Sequence, residues 1–258
     1  MCCFMIGCAA DDADISNCKK EGGCSTTVEV LKVSGNISSS ANDPFWNSPS
    51  SPKKSIVELG PQLITNPQWP NPSIKKVSLS AAKNASEIAL LVEWQDDTES
   101  NESSPGGGYT DQVAVMFPLQ QGKGLPPVTM GGEGQPVNIW QWKAVWEKAL
   151  AQGRNTASRN AKDENTESAP IKRASSVEDL NAEGFSTLTR QEHQDVEGQG
   201  IWSNKTWHVV FKRALLNSDS NDIQFKHSLP MVIAVWDGGN RETNGQKGIS
   251  DWVLLHLS

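Results

Sequence analysis

Two loops of the sequence each carry one side chain able to bind a metal, flanked by glycines or prolines that let the backbone approach a flat ligand closely. In LPPVTMGGEGQPV, residues 125–137, Met130 lies between a proline pair and a glycine pair. In WDGGNRETNGQKGISDW, residues 236–252, Lys247 lies between two glycines. Each residue alone also has a simpler interpretation: a loop methionine at the edge of the core and a solvated lysine in a hairpin.

Other chemically active residue types form no recognisable catalytic motif. The four histidines, none of them in a His-x-x-x-His pattern, are His193, His208, His227 and His256. No Gly-x-Ser-x-Gly pattern occurs, and the glycine-rich segments lack the Gly-Lys-Ser/Thr of a phosphate loop. The pair Asp96 and Asp97 offers acid–base chemistry or calcium binding, but a solvated turn at a strand end is the simpler interpretation. The sequence therefore gives little support for hydrolytic catalysis.

The amino-acid composition limits the classes of protein to which this chain can belong. The chain has 258 residues, 36% of them hydrophobic, with 23 basic against 30 acidic residues and a net charge of −7. This indicates a globular chain with material for one large domain or two small ones. An acidic chain without a basic cluster is a poor partner for nucleic acid. Apolar runs such as those at 89–92 and 231–236 fall far short of the roughly 20 residues of a membrane-spanning helix.

The cysteines are confined to the N-terminal tail, at Cys2, Cys3, Cys8, Cys18 and Cys24. The rest of the chain therefore has no thiol or cysteine metal site. Residues 5–8, Met-Ile-Gly-Cys, resemble a bacterial lipoprotein box, which predicts a signal-like tail over residues 1–25, a periplasmic location and a lipid anchor at Cys8. A frayed tail with free thiols is the alternative. Cys18 and Cys24 could pair in an oxidising compartment.

Short apolar, often β-branched runs separated by Pro, Gly, Asn and Ser predict an all-β domain over residues 26–258, built as an antiparallel β-sandwich. The predicted strands are 26–33, 55–59, 75–80, 86–94, 111–117, 137–141, 206–215, 231–236 and 251–257. The segment WQWKAVWEKAL at 140–150 places Trp142 and Trp146 at helical spacing and predicts a short helix. Residues 151–200 are polar and predict a long surface insertion.

Several blocks together resemble one known family. They are NDPFWNSPS at 42–50, LLVEWQDDT at 90–98, YTDQVAVMFP at 109–118, VTMGGEGQPVNIWQWK at 128–143, WHVVFKRAL at 207–215 and VIAVWDGGNRETNGQKGISDWVLLHL at 232–257. This pattern resembles the ethylbenzene dehydrogenase haem-binding domain family, the gamma subunits of type II members of the dimethyl sulfoxide reductase family. The blocks cover most of residues 42–257.

The resemblance implies a β-sandwich that holds one non-covalent b-type haem between a methionine and a lysine. The methionine carries over to Met130 and the lysine to Lys247, with Lys205 and Lys212 as competing lysines. An amine binds iron only after losing its proton, which requires a buried site that lowers the lysine pKa. The expected apolar wall of that site consists of Trp140, Trp236, Val115 and Phe117.

With both axial positions filled by side chains, such a haem carries electrons and does not catalyse a reaction. The resemblance implies three partners: an iron–sulfur beta subunit, a molybdopterin alpha subunit and a soluble c-type cytochrome.

Two alternatives remain open at this stage. Ten tryptophans against one tyrosine fit a carbohydrate-binding β-sandwich module, which stacks exposed Trp on sugar rings. Trp46, Trp69 and Trp202 are the candidates for that role. The other alternative is a scaffold subunit whose haem site has decayed.

Overall fold

The computed structural model describes Cys18 and residues 23–102, 109–120, 124–154, 156–157 and 171–257. Its strands are β1 (Cys24–Lys32), β2 (Ser55–Glu58), β3 (Lys76–Lys83), β4 (Glu87–Gln95), β5 (Gln112–Pro118), β6 (Val137–Lys143), β7 (Thr156–Ala157), β8 (Ile171–Lys172), β9 (Val177–Ala182), β10 (Thr189–Arg190), β11 (Glu197–Ser203), β12 (Thr206–Ala214), β13 (Leu229–Trp236), β14 (Gly248–Ile249) and β15 (Trp252–His256). An α-helix, α1 (Ala144–Ala151), and a 3-10 helix (Pro44–Trp46) accompany them. All nine predicted strands are confirmed, with ends shifted by a few residues.

Thirteen of these strands form one continuous sheet that folds into two layers. Along its main path the strand order is β10-β9-β6-β5-β13-β15-β1-β3-β4-β12-β11. Short strands β2 and β14 pair with β3 and β13, while β7 and β8 form a separate ribbon. The all-β sandwich is thus confirmed. It is not purely antiparallel, because β1 runs parallel to both β15 and β3.

The core lies between the two layers and is rich in aromatic side chains. Trp142 of β6 and Trp207 of β12 have ring centroids 4.9 Å apart, and Trp94 of β4 stacks on Trp207 at 6.2 Å. Further along, Trp140 lies 6.5 Å from Phe211 of β12. Alternate residues of β5, β6 and β13 point into this core, as the period of a strand requires. Most of the tryptophan excess is therefore core packing.

The predicted helix over 140–150 begins four residues late. Trp140 and Trp142 belong to β6, because the alternating Val-Asn-Ile-Trp-Gln-Trp run pairs with β5 on one side and β9 on the other. Helix α1 starts at Ala144, whose N–H donates to the Asp111 carbonyl at 2.9 Å.

The interpretation of residues 151–200 as a surface insertion is wrong for its C-terminal part. Strand β9 pairs with β6 along its length, and β11 pairs with β12, so both belong to the sandwich. The polar residues of β9 are buried with partners: Glu178 forms ion pairs with Arg190 and Arg173, and Asp179 accepts a hydrogen bond from Asn138. Residues 158–170 lie outside the described part of the chain.

At the N-terminal end, Cys18 and Cys24 form a disulfide, with their Cα atoms 4.8 Å apart. Cys8 and the lipoprotein-like segment lie outside the described residues. Among the helices that the structure describes, none has the length and apolar character to cross a bilayer.

Candidate functional site

A cavity of about 560 Å³ lies on the face of the β6-β5-β13 layer that points away from the core. Strand β5 shows how this arises: Val115 and Phe117 point into the core, while Ala114 and Met116 point into the cavity. Since all residues of β5 and β13 are buried, loops must cover this second face. The volume falls within the roughly 300–1,000 Å³ of cofactor and ligand pockets.

The cavity floor consists of three cross-strand rows, each with one residue from β6, β5 and β13 in direct register. The rows are Ile139–Met116–Val232, Gln141–Ala114–Ala234 and Lys143–Gln112–Trp236. The floor is thus apolar at one end and polar at the other. The central row contributes two methyl side chains, which leaves a flat slot above the sheet.

Met130 reaches the cavity from the loop between β5 and β6. Its φ is +72°, a left-handed conformation that L-residues other than Gly, Asn and Asp rarely adopt. Two backbone hydrogen bonds hold this turn: the Gly131 N–H donates to the Pro127 carbonyl at 3.0 Å, and the Gly184 N–H donates to the Met130 carbonyl at 2.9 Å. The loop is therefore anchored on both sides of the thioether.

Lys247 lines the same cavity from the loop between β13 and β14 and is 9% exposed. Its Nζ lies 4.8 Å from the centroid of the Trp236 ring. The amine forms no hydrogen bond or ion pair with any residue that the structure describes. Burial lowers the pKa of Lys247 to about 8, well below its usual 10.5. The geometry thus supplies a buried amine that loses its proton close to neutral pH.

Charged side chains gather at the polar end of the floor. Glu178 lines the cavity there, accepts a hydrogen bond from Arg173 at 3.4 Å and forms an ion pair with Arg190, whose Nε lies 2.9 Å from its carboxylate. Lys143 Nζ lies 4.6 Å from the Trp146 ring centroid, and the Arg173 guanidinium lies 3.6 Å from the same ring. This end of the cavity therefore carries charges of both signs, and Lys143 supplies a cation there for an acidic group of a ligand.

Of the six residues expected at the site, the structure brings Met130, Lys247 and Trp236 to the cavity. The other three, Trp140, Val115 and Phe117, lie in the core between the layers, on the opposite face of the same strands. On β5 and β6, the residues expected to line the site are therefore each one position away from residues that do line the cavity. Those lining residues are Ala114, Met116, Ile139 and Gln141.

Neither of the competing lysines lines the cavity. Lys205 is on the surface, where its Nζ lies 3.1 Å from Asp97, and Lys212 pairs with Glu87 at 3.0 Å. The lysine that does share the cavity with Lys247 is Lys143, which sequence reasoning missed. The unbroken apolar runs VAVMF and VIAVW were a usable signal for the floor, because a strand buried on both faces loses its alternation.

The tryptophans do not provide a sugar-stacking surface. The structure describes all ten, and none is exposed. Trp46 is buried, while Trp69 and Trp202 are half-buried with their indole N–H groups donating to Glu242 and to the Asp96 carbonyl. Stacking on a pyranose ring requires an open indole face, so this arrangement gives the carbohydrate-binding alternative no support.

Comparison with known proteins points to one family. The sequence model of ethylbenzene dehydrogenase matches residues 43–248. A respiratory nitrate reductase heme subunit from Haloferax mediterranei is 25% identical over 188 residues, which are 72% of this chain and 57% of that protein. The chain thus spans little more than half the length of that relative. The chlorate reductase subunit gamma of Ideonella dechloratans is 23% identical over 233 residues, 89% of this chain and 84% of that protein.

Solved structures with a similar strand layout are more distant. A family 9 carbohydrate-binding module from Caldicellulosiruptor kristjanssonii, solved with glucose, is 11% identical with a TM-score of 0.40, covering 90% of this chain and 96% of that chain. A carbohydrate-binding protein from Bacteroides uniformis is 7% identical with a TM-score of 0.45, covering 90% and 99%. Because the family model spans most of the residues, the chain belongs to the ethylbenzene dehydrogenase family.

Proposed function

We propose that this chain is an electron-transfer subunit that binds one non-covalent b-type haem in the cavity, with Met130 and Lys247 as the iron ligands. The observation that carries the proposal is that these two residues, from loops far apart in the sequence, line the same cavity above an apolar floor. The names of the two relatives, a heme subunit and a chlorate reductase gamma subunit, support the same assignment.

The residues present fit such a group. The flat slot above Ala114 and Ala234 suits a planar macrocycle, and Lys143 at the polar end supplies a cation for its carboxylates. Lys247 supplies an amine that no carboxylate among the described residues holds in its charged form. Met130 supplies a neutral thioether on a loop fixed by backbone hydrogen bonds. When bound, the haem supplies a one-electron redox couple, whose potential a soft thioether ligand raises.

Two side-chain ligands leave no position for a substrate, so we assign the chain a non-catalytic role. It would relay electrons between the iron–sulfur beta subunit of a molybdenum oxidoreductase and a soluble c-type cytochrome, with the molybdopterin site in a separate alpha subunit. A periplasmic location, with Cys8 lipidated as an anchor, belongs to the same proposal and suits the Cys18–Cys24 disulfide.

The cofactor is tested by expressing the full chain in the bacterial periplasm with haem available. The purified protein should show sharp low-spin absorption bands that change on dithionite reduction. A pyridine extract should identify haem b at one equivalent per chain. A folded, colourless protein that takes up no haem on reconstitution would contradict the proposal.

The relay is tested separately by mixing the dithionite-reduced holoprotein, freed of excess reductant, with an oxidised soluble c-type cytochrome in a stopped-flow instrument. Oxidation of the b-type spectrum should match reduction of the c-type spectrum, one electron for one. Holoprotein that exchanges no electrons with the cytochrome, yet is fully loaded, would overturn the relay while leaving the haem site intact.

A further inference from the structure

Three carboxylates meet at one end of the sandwich, next to the polar end of the cavity floor that Gln112 and Trp236 form. Asp96 follows β4, Asp111 precedes β5 and Asp237 follows β13, and one oxygen of each lies within 4.8 Å of the others. Asp96 and Asp111 are buried. Within the described part of the chain, no Lys, Arg or His forms an ion pair with any of the three. Three like charges this close repel one another unless a cation joins them.

A second observation points to a missing partner. Asp96 is only 4% exposed, and its Oδ1 accepts from the Thr98 N–H at 3.0 Å. Its Oδ2 is buried and accepts no hydrogen bond of normal geometry, with the indole N–H of Trp94, which also lacks such a bond, close to the carboxylate. Asp96 and Asp237 both line an adjacent cavity of about 430 Å³. A buried carboxylate oxygen without a partner is costly, so its position beside this cavity indicates a ligand.

Neutral donors hold the other two carboxylates in place. The Asp111 oxygens accept from Trp207 Nε1 at 2.9 Å and from the N–H groups of Ser100 and Gly238 at 2.7 and 2.8 Å. Asp237 accepts from the Ser73 hydroxyl at 2.6 Å. These contacts orient the carboxylates without neutralising them. Asp111 Oδ2 accepts two of the hydrogen bonds, while Asp111 Oδ1 and Asp237 Oδ2 accept one each and retain a lone pair for a metal.

We propose that Asp96, Asp111 and Asp237 bind a divalent cation of the calcium class. The donor set is entirely oxygen, with the Ser73 and Thr98 hydroxyls beside it, and such sets select hard cations over zinc or copper. Calcium tolerates irregular geometry, whereas magnesium requires a near-ideal octahedron and keeps its waters. Three carboxylates that come from three separate loops are therefore more compatible with calcium than with magnesium.

The bound cation would link the two layers of the sandwich. Asp96 extends from β4 in one layer, while Asp111 and Asp237 flank β5 and β13 in the other. Asp237 also begins the loop that carries Lys247. A ligand that binds only the folded state stabilises it by mass action, so calcium should raise the melting temperature.

Terbium luminescence tests the site directly, because Trp207 donates to Asp111 and can transfer excitation to a bound lanthanide. The wild-type protein, freed of metal by chelation, should give saturable Tb³⁺ emission at one equivalent that Ca²⁺ displaces. Asp96→Asn should weaken terbium binding at least tenfold and abolish the calcium-dependent rise in melting temperature. The matched control is Asp97→Asn, which removes the neighbouring exposed carboxylate and should bind as the wild type does.

Two results would overturn the proposal: equal terbium affinity in Asp96→Asn and Asp97→Asn, or a melting temperature that is the same in excess Ca²⁺ and in chelator. If Asp96→Asn does not fold, Asp237→Asn replaces it, because Asp237 is only half-buried. Wild-type affinity in a folded Asp237→Asn protein would count against the site in the same way.

Discussion

Ala114 of β5 and Ala234 of β13 lie directly opposite each other in the antiparallel register, and both side chains face the cavity. The neighbouring residues on the same strands, Val115 and Ile233, are also paired and point into the core. One sheet thus packs the sandwich with one face and forms the floor of the site with the other. The two methyl groups create the space that a planar group would occupy.

Filling this slot should block the cofactor while leaving the fold intact. Ala114→Leu or Ala234→Leu projects a branched side chain into the open volume, so the apoprotein should lose no more than about 1 kcal/mol of stability. Haem content after purification should fall at least tenfold, as measured by the pyridine extract. Ala214→Leu, at an exposed position on β12, is the control and should load normally. Full loading of both cavity variants would show that the group binds elsewhere.

Haem affinity should depend on pH through Lys247. Its pKa of about 8 in the folded protein means that the amine is largely protonated at pH 6 and must lose that proton to bind iron. Affinity should therefore rise roughly tenfold per pH unit up to about pH 8 and level off above it. Haem titrations of the apoprotein at several pH values measure this. Lys247→Met, with a second thioether, should show a much flatter profile; an equally steep one would assign the titration to another group.

The stability of the apoprotein should fall as pH rises through another buried group, Asp179. Burial, followed by the Asp222 carboxylate, raises the pKa of Asp179 to about 8 from its usual 3.8. Between about pH 4 and pH 8 the folded protein therefore holds more protons than the unfolded chain, and its stability declines with rising pH. Asp111, whose pKa burial raises to about 7, acts in the same direction.

Asp179→Asn should reduce this decline and stabilise the protein at pH 8 by on the order of 1 kcal/mol, since it removes a buried charge. Urea unfolding at pH 5 and pH 8 gives the difference. Asp195→Asn, which alters an exposed carboxyl that has an oxygen within 4.8 Å of those of Asp179 and Asp222, should change the pH dependence far less. Identical slopes for the wild type and Asp179→Asn would place the titration elsewhere.

Most of the strand predictions were based on local sequence patterns. Alternation and β-branched runs located nine strands, because those signals depend on neighbouring residues alone. Strand β9 was not predicted, because its sequence, Val-Glu-Asp-Leu-Asn-Ala, is polar. Glu178 and Asp179 can be buried because they pair with Arg190 and Asn138. Those partners are distant in the chain, so no local pattern could have predicted the burial.

Only part of the candidate site could likewise be predicted from local sequence patterns. Met130 and Lys247 were predicted as ligands from the family resemblance, since a single methionine and a single lysine in separate loops have no spacing that links them. The wall was misplaced because periodicity separates the two faces of a strand without saying which one faces a ligand. Both faces of β5 are apolar, and only the packing of Val115 and Phe117 against the other layer decides between them.

The most direct test compares matched pairs of cavity residues by optical spectroscopy of the haem-loaded protein, with carbon monoxide as a probe for an open iron position. Met130 and Met116 line the same cavity, as do Lys247 and Lys143. Met116→Leu and Lys143→Gln should keep the low-spin spectrum and refuse carbon monoxide. Met130→Ala and Lys247→Ala should lose that spectrum and bind carbon monoxide when reduced. An unchanged spectrum in Lys247→Ala, or the same loss in Lys143→Gln, would contradict the assignment.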